Sequence, residues 1–174
     1  MKNFNLLIST SRFNEKNASA ELWFSLLTCG DKYPIINILE VSGLISALTN
    51  LDAKQVIYKV QNMLKEDPNF FRYILKIIPI DFLCESNIHV ISQIVENHYK
   101  EFINEDDSFK ITLKRRNNDS IERDKFIKII AEKIDNAVNL TKPDVDIRFE
   151  FLGNTCGIAF LKPNDILKMG HQQE

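Results

Sequence analysis

The stretch "FKITLKRRNNDSIERDKFIKIIAEKI", Phe109 to Ile134, holds two secondary-structure periods side by side. In "FKITL" apolar and polar residues alternate, which predicts a strand with one buried face. Beyond the two asparagines, Phe126, Ile127, Ile130 and Ile134 recur at helical spacing. Asp119 and Glu122 read as a capping box that opens that helix. Three consecutive cations, Lys114, Arg115 and Arg116, stand at the handover from strand to helix.

Working outward, "VDIRFEF" alternates as a strand, and Gly153–Asn154 marks a tight hairpin into a return strand, "TCGIAFL". Upstream, a helix is expected from about Asn87 to Phe102, capped by Ser86. Its stripe is Ile91, Ile94, Val95, His98 and Phe102. The segment "DFLCES" before it reads as a connector. The second half is thus α-β-α-β-β.

The first half has its own logic. "FNLLI" is a first strand, and a helix follows from about Asn14 to Cys29, striped by Leu22, Trp23, Leu26 and Leu27. Trp23 and Phe24 are expected in core packing, with an interface as the alternative reading. "YPIINILE" and "LISALT" are strands joined by a turn at "VSG". Asp52 and Gln55 form a capping box, with Leu51 and Val56 placed for a hydrophobic staple. The helix they open stops at Asp67–Pro68, because a residue before proline is pushed out of helical geometry. "FRYILKIIPI" is the closing strand. The order β-α-β-β-α-β is a ferredoxin-like split βαβ unit. The class expected is α/β (α+β), with units at residues 1–81 and 82–174.

Composition narrows the function. The net charge is -2 over 174 residues, so no global field draws in a polyanion. The local balance differs: residues 109–130 carry seven Lys/Arg against three Asp/Glu, while 82–108 carry one against six. A basic island therefore sits beside an acidic segment. No apolar run approaches the ~20 residues of a membrane span, and the N-terminus lacks a signal-peptide layout. Cys29, Cys84 and Cys156 form no CxxC pair, so small buried thiols in a reducing cytoplasm are expected. His89, His98 and His171 have no metal-ligand spacing. None of the five glycines builds a dinucleotide or phosphate loop. No GxSxG or HExxH motif is present. No catalytic residue, cofactor or metal is expected.

The cationic junction suggests a phosphate cradle. The first N–H groups of a helix lack intrahelical partners, and the dipole is positive there. Arg115 and Arg116 could grip phosphate oxygens with bidentate forks, and Lys114 adds a point charge. Asn117 could bend the loop and bond a sugar or base edge. Lys110 should share a strand face with Lys114, and Arg123 belongs to the early helix. The competing reading is a solvated charged loop, partly neutralised by Asp119 and Glu122.

The second half resembles the THUMP domain. The features that match are Arg115–Arg116 after a strand, then Val138, Leu140, Pro143 and Asp144, then Gly157–Ile158. Cys156 replaces the small residue usual before that glycine. The first half, from "NLLISTSRFNEKNASAELWFSLLTCGD" to "VSGLISALTNLDAKQVIYKVQ", is similar to the ferredoxin-like domain that precedes THUMP in one subfamily. That subfamily assists the tRNA cytidine acetyltransferase in forming 4-acetylcytidine. The resemblance covers about residues 3–165. It implies a noncatalytic tRNA-binding adaptor that grips the acceptor stem and 3′ CCA end and works as a ruler. In other THUMP proteins a methyltransferase, deaminase, pseudouridine synthase or sulfur-transfer domain is fused alongside. Here the catalytic part is expected on a separate chain, with no small-molecule substrate of this chain's own. Family position points to Arg115, Arg116 and Asn117 as RNA contacts, then Lys114, and after them Arg12, Lys76 and Lys162. Two alternatives stay open: an RNA-modifying enzyme with dispersed catalytic residues, and a protein-interaction module whose docking face is the acidic 82–108 segment.

Overall fold

The computed structural model describes residues 3–170. The chain divides into two compact units, residues 81–163 and residues 3–80 with 164–170.

In the N-terminal unit the elements are β1 (Leu6–Thr10), α1 (Glu15–Cys29), β2 (Ile35–Ile38), β3 (Leu44–Leu48), α2 (Ala53–Glu66) and β4 (Ile74–Pro79). This is the β-α-β-β-α-β order expected. Its antiparallel sheet runs β2-β3-β1-β4 and is extended by β9 (Leu167–Lys168). Leu6, Ile8, Ile45, Ala47 and Ile77 point from the sheet into a core shared with Leu22 and Leu26 of α1 and Val56, Ile57 and Val60 of α2. The Asp52 side chain accepts from Gln55 N–H at 2.9 Å, so the predicted cap forms. Gly43 closes the β2–β3 turn at φ 79°, and an added Cβ there would lie 2.8 Å from the Thr10 carbonyl oxygen. Only glycine combines that backbone with that closeness.

Two expectations fail in this unit. Trp23 is 50% exposed and Phe24 56%, because on α1 Trp23 lies at the flank of the buried face of Ala18, Leu22, Ser25, Leu26 and Cys29 and Phe24 lies opposite it. The Phe24 ring meets Phe70 at 6.1 Å, outside the main core. The second concerns the chain end. Residues 82–174 were expected to form one unit, yet Leu167 pairs with Ile77 of β4 and is buried in the N-terminal core.

The second unit contains β5 (Phe82–Glu85), α3 (Ile88–His98), a short 3-10 turn at Tyr99–Glu101, β6 (Phe109–Arg116), α4 (Arg123–Ala131), β7 (Val145–Leu152) and β8 (Thr155–Leu161). Its sheet runs β5-β8-β7-β6, with β6 parallel to β7 and the other pairs antiparallel. The "connector" is therefore strand β5: Phe82–Glu85 pairs along Ile158–Thr155. Asn87, not Ser86, caps α3, its side chain accepting from His89 N–H at 2.9 Å. One face of the sheet packs Phe109, Leu113, Phe149, Phe151, Ile158 and Phe160 against Ile91 and Val95 of α3 and Phe126 and Ile130 of α4. Phe126 stands edge-on to Phe149 and Phe151 at 4.9 and 5.4 Å. No helix among the described residues is long and apolar enough to cross a membrane.

Because Leu167 is buried in the N-terminal core, Leu167→Ala is expected to destabilise the protein by about 2–5 kcal/mol. Hydrogen exchange should place the loss in β1 and β4. Unchanged protection there would show that β9 is only laid on the sheet.

Candidate nucleic-acid interface

The three cations stand at the end of a strand, not in a loop. β6 runs through Arg116 and is the edge strand of its sheet. Alternation along it places Lys110, Thr112, Lys114 and Arg116 on one face and Phe109, Leu113 and Arg115 on the other. Lys110 and Lys114 thus share a face as expected, but Arg115 and Arg116 diverge.

Arg116 is committed to a carboxylate. Its Nη1 donates to Glu150 Oε2 at 2.6 Å, while Arg148 Nε donates to Glu150 Oε1, also at 2.6 Å. The Glu150 side chain is 1% exposed and that of Arg116 31%. A buried carboxylate needs such partners, since an unpaired ion away from water is costly. Two guanidinium groups on one carboxylate leave the cluster with one excess positive charge, carried toward solvent by Arg116. Lys114 is the register neighbour of Glu150 in β6, and Gly157 is its neighbour in β8. Sequence reasoning missed Arg148 and Glu150. The signal was available in "VDIRFEF": two opposite charges two apart lie on one strand face.

Arg115 turns back on its own loop, where Nη1 donates to the Ile121 carbonyl. Asn117 adopts φ 53°, a left-handed conformation that asparagine tolerates better than most residues. Asn118 fastens the loop, donating to Ser86 Oγ at 2.7 Å and to the Gly153 carbonyl at 2.9 Å. Gly153 N–H bonds the Arg116 carbonyl at 2.9 Å. The loop is a held corner rather than a solvated tether.

The phosphate cradle expected at the start of α4 is not open. Glu122, not Asp119, is the N-cap, and its carboxylate accepts from Asp124 and Lys125 N–H at 3.1 and 3.3 Å. An acidic cap already satisfies the donors that a phosphate would have used. The other cations singled out in this unit lie on β6, at the start of α4 and just after β8. Lys114 is exposed and has no ion-pair or hydrogen-bond partner among the described residues. Lys110 is half-buried on the same face. Arg123 opens α4, exposed, with Nη1 3.3 Å from the Leu113 carbonyl. Lys162 follows β8 and is exposed, but it has a partner within the chain.

Arg12 and Lys76 belong to the other unit. Arg12 is exposed just after β1. Lys76 lies in β4 opposite Ser9 and has a partner.

The remaining titratable residues behave as structural groups. Burial pushes the Cys29 and Cys156 thiols up, so both stay protonated. Cys84 faces Cys156 across β5 and β8, and all three thiols are free. His98 Nδ1 lies 2.7 Å from Glu101, with its ring 4.8 Å from that of Phe82. His171 lies outside the described residues. No group of His, Cys, Asp and Glu among the described residues could hold a metal ion.

These features join a known pattern. The THUMP domain family matches residues 85–161, within the second unit. The chain is similar to THUMP domain-containing protein 1 of Mus musculus, 25% identical over 128 residues, covering 70% of this chain and 37% of that protein. It is 31% identical over 96 residues to the Drosophila melanogaster homolog of that protein, covering 52% of this chain and 30% of the other. The chain thus spans about a third of the length of these relatives. Among solved structures, PH1313 from Pyrococcus horikoshii Ot3 superposes with a TM-score of 0.66 at 18% identity, covering 92% of this chain and 55% of the other. A 4-thiouridine synthetase–RNA complex with bound ATP superposes at 0.54 and 14%, covering 95% and 42%. TrmN from Thermus thermophilus superposes at 0.58 and 12%, covering 91% and 46%. At these identities the likeness is one of fold.

Removing the buried carboxylate should be costly. Glu150→Ala strands two guanidinium groups and is expected to destabilise the chain by about 3–5 kcal/mol. Chemical denaturation measures this. A loss under about 1 kcal/mol, the level of an exposed pair, would mean the cluster is hydrated and inessential.

Proposed function

We propose that this chain is a noncatalytic tRNA-binding adaptor. It grips the acceptor stem and the 3′ CCA end and presents the tRNA to a separate enzyme, the tRNA cytidine acetyltransferase. The observation that carries the RNA reading is the excess of positive charge on one face of β6 and β7, where Lys110, Lys114, Arg116 and Arg148 stand against Asp146 and Glu150. It lies in the segment matched by the THUMP domain family, and the chain's fold neighbours include an RNA complex of a 4-thiouridine synthetase.

The geometry suits backbone recognition. Lys114 is a point charge, and Arg116 offers a guanidinium held in place by Glu150. A-form RNA hides its major-groove base edges, so cations along one face read shape and phosphate rather than sequence. An adaptor that must accept several tRNAs needs that kind of grip. The THUMP resemblance assigns contacts also to Arg115, Asn117, Arg12, Lys76 and Lys162. Arg115 and Asn117 would then act mainly by shaping the corner, since Arg115 is tied to Ile121. The acetyltransferase partner rests on the resemblance of the first half. The absence of nucleophile, P-loop and dinucleotide motifs in the sequence supports a noncatalytic role. The expected setting is the cytoplasm.

Binding of whole tRNA and of tRNA lacking CCA, measured across a salt series, tests the proposal. The intact tRNA should bind more tightly. Lys110→Ala with Lys114→Ala should weaken binding and lower the salt slope by about one for each phosphate no longer neutralised. Equal, weak and salt-insensitive binding of both RNAs would overturn it. Loss of acetylated cytidine from the tRNA of cells lacking the protein would support the acetyltransferase; loss of a different modification would replace that partner.

A further inference from the structure

Between β1 and α1 the chain turns sharply over Ser11–Asn14, with Asn14 N–H donating to the Ser11 carbonyl at 3.1 Å. The third residue of that turn is Phe13. Its φ is 71°, and it is 94% exposed. A positive φ at the third position of a turn normally selects glycine or asparagine. A phenylalanine there holds a backbone suited to glycine and leaves an aromatic ring in water. Nearly full exposure means that packing within the chain offsets neither cost. Residues kept in such a conformation point to function outside the fold.

The corner that displays Phe13 is firmly held. Thr10 N–H bonds the Gly43 carbonyl at 2.9 Å, and Thr10 Oγ1 donates to the Tyr73 carbonyl at 2.7 Å. Glu15 Oε1 accepts from Gly43 N–H at 2.7 Å. The turn is thereby tied to the β2–β3 hairpin and to the residues that open β4. Three cations lie on the segments that meet at this corner. Arg12 precedes Phe13, Lys16 lies in the first turn of α1, and Arg72 adjoins the Tyr73 that Thr10 holds. All three are exposed or half-exposed, and none has an ion-pair partner among the described residues. Two carboxylates of this region are occupied by backbone N–H groups: Glu15 with Gly43, and Glu21 with Arg72, Tyr73 and Ile74. The bond from Gly43 also holds the Glu15 carboxyl below its ordinary range.

We propose that Phe13 is a stacking plate for an unpaired RNA base, with Arg12 and Arg72 contacting the phosphates on either side of it. The proposal rests on the RNA-binding reading above and adds to it the kind of RNA this unit takes. Bases in a duplex are already stacked and offer no free face to a protruding ring. An unstacked base does, and any base can fill the place because each has a π-face. A protein partner would more naturally meet an apolar patch, whereas Phe13 is flanked by Ser11, Arg12 and Asn14.

The test uses the full chain, a short single-stranded oligoribonucleotide and the duplex of the same sequence. Phe13→Gly suits the turn's backbone, so the variant should melt at or above the parent temperature. It should bind the single strand roughly five- to hundredfold more weakly, the range of one lost base stack, and bind the duplex as the parent does. Phe13→Trp should retain single-strand binding, with emission beyond that of Trp23 quenched by the single strand and not by the duplex. A Phe13→Gly chain that binds both RNAs like the parent would overturn the proposal. If Lys110→Ala with Lys114→Ala still weakened tRNA binding, the RNA reading would survive that result. A parent chain that binds no RNA would remove both.

Discussion

A single carboxylate organises the charged edge of the second sheet. Glu150 is buried between Arg148 and Arg116, which lie on its own strand and the neighbouring edge strand. Backbone bonds in a parallel pair are evenly spaced and do not alone choose a register. The Arg116–Glu150 bond does, because a slip of one residue would turn Arg116 to the other face and leave the carboxylate half satisfied. Gly157 opposite Glu150 in β8 adds no side chain to that face. The same bond gives Arg116 a defined direction, so less freedom remains to be lost when an anion arrives.

Charge in this protein is divided between internal and external duties. Glu122 caps α4, Glu15 and Glu21 secure loops of the first unit, and Glu150 holds two arginines. Each commits a carboxylate to backbone or guanidinium donors. What remains outward on β6 is positive, despite a net charge of -2. The net figure therefore says little about the field a ligand meets at close range, where committed charges are screened by their partners and uncommitted ones are not.

The parts of this fold that were legible in the sequence are those governed by neighbours in the chain. The cap at Asp52, the alternation of β6 and β7 and the turn at Gly153–Asn154 all depend on residues a few positions apart. The parts that were not legible depend on partners far away. β5 is four residues long and becomes a strand only by pairing with β8; alone, "DFLCES" has no period to detect. Asp119 and Glu122 satisfy a capping pattern, but Asn118 bonds Ser86 and Gly153 and delays the helix until Arg123. Trp23 shares helical spacing with Leu22 and Leu26, yet α1 rests on the sheet through a narrower face than that spacing implies. At the candidate site, Lys114 and Lys110 were legible as one face. The diversion of Arg115 and Arg116 was not, since their acceptors, Ile121 and Glu150, are chosen by tertiary register.

The strand β9 has a bearing on how the chain is made. Residues 3–79 contain everything needed for the first sheet except its last member, which is read out only after the whole second unit has been synthesised. On the ribosome the N-terminal half must wait with the β4 edge unpaired while the second unit emerges. An uncovered edge is a place where strands of other chains can add. The late arrival of β9 covers that edge at Lys76 and Ile77, so it behaves as a latch that is read out last.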